Sequence, residues 1–263
     1  MNTPQADRTP PQGTAGGPAS PPGAAEARGA RARDAGAAPA APSPAGATVG
    51  WSAAADAGAP TVLVLLRHGE TALTPEKRFS GSGGDDPCLS AAGRRQAAAA
   101  AAELAARAGI QDVVSSPLGR CVETAGAVAA RTGLDVHVEH DLREADFGAW
   151  EGLTFAEARE RHPADLAAWQ SSPWAPPTGG ESFGALGERV EAALAALLAR
   201  YAGRTVLVVT HVTPVKTLVR RALGAPPEAL FRMELSPAST SAIAYYPDGS
   251  ASLRVFNDTS YLR

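Results

Sequence analysis

Short apolar runs alternate with longer helical patterns from Thr61 to the end of the chain. The run 61–66 is apolar after its threonine and rich in β-branched residues, which is typical of a strand buried in a parallel sheet. Apolar runs and alternation predict further strands at 112–115, 134–138, 205–209, 240–246 and 251–257. The last two close the pattern and flank a turn at Pro247-Asp248-Gly249.

Helical patterns separate most of these strands. One helix of roughly 18 residues opens at Ser90, and another covers 118–132 and ends at Gly133. Further helices are predicted at 154–161 and 182–201. A last helix is entered through Thr213 as N-cap, with Pro214 at the first helical position. Because strands alternate with helices, we expect an α/β layered sheet with its sites at the carboxyl ends of the strands.

The first 58 residues have a different texture. Ala, Gly and Pro make up 39 of the first 60 residues, and Met1, Val49 and Trp51 are the bulky apolar side chains of this segment. Such a segment cannot bury enough apolar surface to offset the entropy of ordering it. We therefore predict a disordered leader at 1–58 and one folded domain at 59–263.

Charge and composition exclude several classes of protein. With 24 Lys+Arg against 27 Asp+Glu the net charge is −3, which argues against nucleic-acid binding driven by overall charge. Two cysteines, Cys88 and Cys121, are too few for a disulfide framework and fit a reducing compartment. The sequence has no run of 18 apolar residues and no secretory signal pattern, so we expect a cytoplasmic protein without a membrane span.

Candidate chemistry lies where three predicted strands end. Arg67-His68-Gly69 follows the first strand, Arg120 follows the second in the first turn of a helix, and His211 ends the strand at 205–209 just before another helix. Free amides and the dipole at the start of that helix favour an anion beside His211. Taken alone, Arg120 could instead pair with Glu123 at the helix surface.

These side chains suit phosphoryl transfer. Two guanidinium groups can clamp phosphate oxygens and stabilise the charge that develops on them. An imidazole can attack phosphorus and divide hydrolysis into two easier steps, which leaves a need for an acid to protonate the leaving oxygen.

The motifs resemble those of the histidine phosphatase superfamily, the phosphoglycerate-mutase-like fold. The resemblance rests on four segments in order: Arg67-His68-Gly69; Ser115-Ser-Pro-Leu-Gly-Arg120 with Thr124-Ala125; Leu142-Arg-Glu144 with Phe147-Gly148 and Trp150-Glu-Gly152; and Val209-Thr-His211-Val212. More narrowly, the sequence is similar to the phosphatase half of actinobacterial bifunctional ribonuclease H/acid phosphatases and to α-ribazole phosphatases. Segment 1–58, with four acidic residues in a proline-rich tract, has no counterpart of the ribonuclease half.

This resemblance implies a three-layer α/β/α sandwich with a mostly parallel central sheet and a metal-independent histidine acid phosphatase that needs no cofactor. His68 would be the nucleophile and Glu144 the general acid and then base. Phosphate would be held by Arg67, Arg120, His211 and Thr74, the last standing where the family often has asparagine; Ser80 and Gly81 correspond to a substrate-contact turn. The expected partner is a small phosphorylated metabolite, with α-ribazole 5′-phosphate as the named substrate, and a homodimer is allowed.

Alternatives remain open at this point. A phosphoglycerate-type mutase and a catalytically silent phosphate-binding module use the same residues. Cys88 and Arg94 have the C-x5-R spacing of cysteine phosphatases, although no apolar strand precedes the cysteine. The acid has rivals in Asp146 and Glu151. Finally, His137-x-x-His140 lacks the acidic or cysteine partners of a metal site, so we expect no metal there.

Overall fold

The structure, a computed structural model, describes residues 58–107 and 109–263. The predicted disordered leader at 1–58 lies, apart from Gly58, outside the described residues. The strands are β1 (Thr61–Arg67), β2 (Asp112–Ser115), β3 (Val136–Val138), β4 (Thr205–Thr210), β5 (Thr240–Tyr245) and β6 (Ala251–Asp258). The helices are α1 (Ala91–Ala106), α2 (Gly119–Thr132), α3 (Phe155–Arg161), α4 (Pro163–Ser171), α5 (Phe183–Arg200) and α6 (Val212–Ala222).

The six strands form one sheet in the order β3-β2-β4-β1-β5-β6. The first four in this order run parallel to their neighbours, whereas β5 pairs antiparallel with both β1 and β6. The mostly parallel sheet is confirmed. The apolar runs of β1 and β4 lie side by side at the centre, where both faces of the sheet are covered, and this explains why neither run alternates with polar residues.

Helices cover the two faces of the sheet. On one face α1 and α2 pack on the sheet through small side chains such as Ala100 and Ala125. On the other face α5 and α6 bury larger groups, among them Leu186 and Leu218, together with Trp150 and residues of α4. The predicted three-layer α/β/α sandwich is therefore confirmed, with the core divided between the two faces.

Three local predictions need correction. The strand predicted at 134–138 begins only at Val136, because Gly133 ends α2 with a φ of 72° and the next two residues complete the turn. Helix α4 was not predicted; it begins at Pro163, which suits a first helical position. Thr213 is not the N-cap of α6, since His211 holds that place and the helix begins at Val212.

Within the described part of the chain, no helix is both long and apolar enough to cross a membrane.

Candidate active site

The register of the sheet brings the two predicted histidines together. β1 and β4 are parallel neighbours in which Arg67 lies opposite Thr210. His68 directly follows β1 and His211 directly follows β4, and the ring centroids of the two histidines are 5.1 Å apart. β2 pairs with the other edge of β4, with Ser115 opposite Val209, so the turn into α2 and Arg120 reaches the same end of the sheet. Three predicted side chains thus meet because three strands end together.

His68 is held as a neutral imidazole. Its Nδ1 lies 2.7 Å from the carbonyl oxygen of Gly69, so this nitrogen carries the proton and donates it to the carbonyl. Nε2 is therefore left with a lone pair. Burial, followed by the positive charges of Arg67 and Arg120, holds the pKa of His68 well below its ordinary value of 6.5. The imidazole therefore stays neutral at neutral pH, with Nε2 unprotonated, as a nucleophile requires.

Gly69 allows this loop to pass close to α1. A side-chain Cβ at Gly69 would lie 2.5 Å from the carbonyl oxygen of Gly93, and a Cβ at Gly93 would meet the backbone of Glu70. The two glycines therefore let the end of β1 and the start of α1 pack against each other.

Arg67 points its guanidinium into the same region. One of its Nη1 hydrogens is donated to the carbonyl of Leu235 at 2.6 Å, whereas its buried Nε has no partner among the described residues. Burial lowers the pKa of Arg67 to about 10, an effect that the charge of Glu144 opposes and that of Arg120 reinforces. The side chain therefore remains a cation at neutral pH with donors to spare for an anion.

Arg120 is completely buried, which excludes the surface pairing with Glu123 that a helix position alone would allow. Its Nη1 contacts the Asp86 carboxylate at 3.1 Å, and its Nη2 donates to the carbonyls of Ser80 and Gly81 at 3.0 and 3.2 Å. Its Nε has no partner among the described residues. Three acceptors thus orient the guanidinium group of Arg120, and its Nε–H is available to a further acceptor.

Glu144 is 5% exposed and its two oxygens accept backbone amides. The amide of Ala145 donates to Oε1 at 2.9 Å and that of Thr213 to Oε2 at 3.2 Å. Thr213 lies in the first turn of α6, so a free amide at this helix start binds the carboxyl group of Glu144. The sequence predicts that these amides favour an anion beside His211, whereas in the structure the Thr213 amide binds Glu144.

His211 is fully buried and is fixed by the segment that carries Arg120. The hydroxyl of Ser116 lies 2.7 Å from Nε2 of His211, and the thiol of Cys121 lies 3.4 Å from the same atom. Burial, then the charge of Arg120, keeps the pKa of His211 well below 6.5. Burial also raises the pKa of the Cys121 thiol, which suits a packed side chain and not a nucleophile.

A cavity of about 570 Å³ opens at this end of the sheet. Five of the predicted site residues line it: Arg67, His68, Thr74, Ser80 and Glu144. Arg120, His211 and Gly81 are not among its lining residues. The hydroxyl of Thr74 accepts a hydrogen bond from the amide of Thr71 at 3.1 Å. The structure therefore places five members of the predicted set on the cavity surface, whereas the other three are buried.

The rival groups lie elsewhere. Asp146 accepts the amide of Gly148 at 2.8 Å, and Glu151 accepts the amides of Gly81 and Phe147 at 2.8 and 3.1 Å. Neither carboxylate lines the cavity. Both act as turn-forming acceptors. Of the three candidate acids, Glu144 is the one that lines the cavity together with His68 and Arg67; Glu234 lines it too, but its charge is not among those that shift the pKa of Arg67 or His68.

The cysteine alternative has no structural support. Cys88 is exposed in the loop before α1, and Arg94 donates to the carbonyl of Leu89 at 2.6 Å. Neither residue lines the cavity. Across residues 58–107 and 109–263, no three His, Cys, Asp or Glu side chains, His137 and His140 included, are grouped so as to hold a metal ion.

Sequence reasoning missed several residues that shape the site. Asp86 orients Arg120, Ser116 contacts His211, and Arg189 of α5 donates to the carbonyls of the segment that carries Glu144, at 2.6 to 3.1 Å. Ser116 is part of the motif Ser115-Ser-Pro-Leu-Gly-Arg120, so the sequence did offer a signal for it. Arg189 gave no signal, because it is one arginine among 22 on an otherwise ordinary amphipathic helix.

The family follows from a match over most of the described chain. A model of the histidine phosphatase superfamily (branch 1) matches residues 63–259. The chain belongs to this superfamily. The bifunctional protein Rv2228c of Mycobacterium tuberculosis is 48% identical over 213 residues, which are 81% of this chain and 57% of that relative. The chain thus spans little more than half the length of this curated relative.

Solved structures of histidine phosphatases share the fold. A mycobacterial glucosyl-3-phosphoglycerate phosphatase in complex with VO3 is 32% identical, with a TM-score of 0.68 over 76% of this chain and 100% of that one. An alpha-ribazole phosphatase from Shigella flexneri is 31% identical, with a TM-score of 0.67 over 75% of this chain and 96% of that one. Phosphatases are therefore among the relatives of this superfamily member, and the resemblance seen in the sequence is confirmed.

Proposed function

We propose that the protein is a metal-independent phosphomonoesterase that works through a phosphohistidine. The observation that carries this proposal is the hydrogen bond from Nδ1 of His68 to the carbonyl of Gly69 at 2.7 Å. It leaves Nε2 of a neutral imidazole unprotonated in a cavity that Arg67 and Glu144 also line. A nucleophile, a cation for the phosphoryl oxygens and an acid thus face one space.

The first half-reaction transfers the phosphoryl group to His68. Nε2 attacks phosphorus, an N–P bond forms, and the P–O bond to the alcohol breaks. Glu144 donates its proton to the departing oxygen, so the alcohol leaves neutral and Glu144 becomes a carboxylate. Arg67 and Arg120, with His211 beside them, stabilise the charge on the phosphoryl oxygens throughout.

Water completes the reaction. The Glu144 carboxylate takes a proton from a water molecule, whose oxygen attacks phosphorus while the N–P bond breaks. The electron pair of that bond returns to Nε2, inorganic phosphate leaves, and both His68 and Glu144 regain their starting protonation states. The reaction requires His68 to be neutral before the first step, and the lowered pKa of His68 supports this requirement.

A small organic phosphate is the substrate that the cavity favours. Its volume of about 570 Å³ falls within the usual range of about 300–1,000 Å³ for small-molecule sites. The likeness to an alpha-ribazole phosphatase supports α-ribazole 5′-phosphate as the first candidate. A mutase is less well supported, because the chain passes from the end of β3 at Val138 to Glu144 without a long insertion.

A substrate screen tests this proposal. The unmodified protein and a His68→Asn variant are assayed for phosphate release from α-ribazole 5′-phosphate, phosphoserine, glucosyl-3-phosphoglycerate and para-nitrophenyl phosphate, each with and without EDTA. We expect turnover of at least one ester, unchanged by EDTA and absent in the variant. Loss of activity with EDTA would contradict a metal-independent reaction, and full activity of the variant would contradict His68 as nucleophile. Binding of phosphate without turnover of any ester would indicate a silent module.

A further inference from the structure

The cavity is larger than the phosphoryl group requires. Arg67, His68, Thr74 and Glu144 line it together with further charged side chains such as Lys216, and much of the remaining lining is apolar. The reaction proposed above uses none of these apolar residues. They surround the space that the alcohol part of an ester would occupy, so their chemistry bears on which alcohol the site accepts.

Three aromatic rings from three separate elements meet in this lining. Trp169 of α4 lies 4.8 Å from Phe183 at the start of α5, between ring centroids. Phe231, in the short helix Pro227–Arg232, lies 4.9 Å from Trp169 and 6.0 Å from Phe183. All three line the cavity, and we call them the aromatic wall. A second pair of lining rings, Phe79 and Phe147, is 4.8 Å apart.

Phe231 is the accessible member of the aromatic wall. It is 49% exposed, whereas Trp169 is 7% exposed and packs in the core. The helix that carries Phe231 is tied to α6, because Nζ of Lys216 donates to the carbonyl of Leu230 at 3.1 Å. The ring is therefore anchored at the cavity with part of its surface available to a ligand.

We propose that the aromatic wall is a leaving-group subsite that selects phosphate monoesters whose alcohol carries a planar aromatic or heteroaromatic ring. Aromatic rings pair in offset-stacked or edge-to-face geometry at centroid distances of about 4.5–7 Å, and Trp169 already makes edge-to-face pairs with Phe183 and Phe231. A planar ring can extend this array, whereas a small polyhydroxy alcohol would leave its hydroxyl groups against apolar carbon. This inference rests on the proposed function for the position of the phosphoryl group.

Binding of phosphonates tests the subsite independently of turnover, because their C–P bond is not hydrolysed by this chemistry. Dissociation constants of naphthylpropylphosphonate and propylphosphonate are measured by calorimetry. The two compounds share the phosphonate and the linker and differ in the ring. We expect the ring-bearing compound to bind at least about tenfold more tightly to the unmodified protein.

Three variants separate the ring contact from other effects. Phe231→Ala should remove most of the preference, and Phe231→Leu should remove a large part of it while keeping an apolar side chain. Phe155→Ala is the matched control, since Phe155 is 37% exposed on α3 and does not line the cavity. It should keep the full preference. Equal affinity for the two phosphonates, or an equal loss in the Phe155 and Phe231 variants, would overturn the subsite.

Catalysis provides the second arm. The ratio of kcat/KM for naphthylpropyl phosphate to that for glycerol phosphate should exceed about ten, and Phe231→Ala should reduce it mainly through KM. Both are esters of alkyl alcohols, so their leaving groups are chemically similar. Absence of turnover with selective phosphonate binding would contradict the proposed function and support the subsite. Turnover of both esters with a kcat/KM ratio near one would support the proposed function and contradict the subsite.

Discussion

The hydroxyl of Ser116 lies 2.7 Å from Nε2 of His211. Ser116 comes from the turn between β2 and α2, four residues before Arg120, so one short segment orients both the buried arginine and the buried histidine of the site. This contact links the segment that carries Arg120 to the end of β4 that carries His211. It therefore fixes the position of His211 relative to Arg120.

Loss of the Ser116 hydroxyl should therefore reduce catalysis more than stability. We expect Ser116→Ala to lower kcat by about 10- to 100-fold, since a catalytic group misplaced by about 1 Å costs about that much. The control is Ser115→Ala, whose equally buried hydroxyl donates to the carbonyl of Ser116 at 2.8 Å and does not contact His211. Steady-state kinetics and urea unfolding of both variants separate the effects; equal kcat values would contradict the positioning role of Ser116.

Arg189 should stabilise the segment that carries Glu144. Its guanidinium pairs with both oxygens of Glu181 at 2.7 and 2.8 Å and donates to three backbone carbonyls, and the two side chains are only 10% and 16% exposed. Removal of the Arg189 guanidinium leaves the mostly buried carboxylate of Glu181 and three backbone carbonyls without this donor. We therefore expect Arg189→Met to lower the free energy of unfolding by about 3 kcal/mol.

The matched control for this loss is an exposed pair that joins α5 to α6. Arg221 pairs with Glu191 at 2.7 Å, but the two side chains are 51% and 37% exposed. Arg221→Met should cost less than about 1 kcal/mol because solvent screens the pair. Chemical denaturation gives both values, and similar losses in the two variants would mean that Arg189 does not brace the Glu144 segment.

The two buried histidines should make the fold less stable in mild acid. Burial and the neighbouring arginines hold the pKa values of His68 and His211 well below 6.5, the ordinary value that the unfolded chain has. Below pH 6.5 the unfolded chain therefore binds protons that the folded chain does not, and stability falls with falling pH. Each histidine adds a slope of up to about 1.4 kcal/mol per pH unit in that window.

Urea unfolding between pH 7.5 and pH 5 measures this slope. His211→Gln should be less sensitive to pH than the unmodified protein by up to one such increment, while His140→Asn, at an exposed position, should leave the slope unchanged. The same slope in the His211 variant and the unmodified protein would show that His211 is not kept neutral by the fold.

The central strands could be predicted from sequence because they are buried on both faces. The runs at 61–66 and 205–209 match β1 and β4 to within one residue, since continuous apolar β-branched residues have few other uses. Strand order could not be predicted in this way. The contact between β1 and β4, which places His68 beside His211, joins residues more than 140 positions apart and left no local pattern.

The N-terminus of α6 shows why a motif can predict an element and still misplace its boundary. Thr213 followed by Pro214 has the composition of an N-cap and first helical position, but the helix begins two residues earlier, at Val212. The extended backbone of His211 already serves as the cap, so the amide of Thr213 becomes available to Glu144. A tertiary contact of the acid overrides the local preference.

The aromatic wall lay beyond sequence reasoning for a similar reason. Trp169, Phe183 and Phe231 come from segments that give no common signal in the sequence. Trp169 does pack in the core, but it also lines the cavity. Only the three-dimensional arrangement of three elements shows that one ring can serve both purposes.

Transfer of phosphate to His68 is the most direct test of the proposed chemistry. The unmodified protein is mixed with para-nitrophenyl phosphate that carries a radiolabelled phosphoryl group, and the mixture is quenched within milliseconds in alkaline denaturant, in which an N–P bond survives. We expect label on the peptide that contains His68, stable in alkali and released by acid. The label should be absent from His68→Asn and retained in His140→Asn. Phosphate release in a single turnover without any labelled His68 peptide, or equal labelling of the His68 variant, would contradict the mechanism.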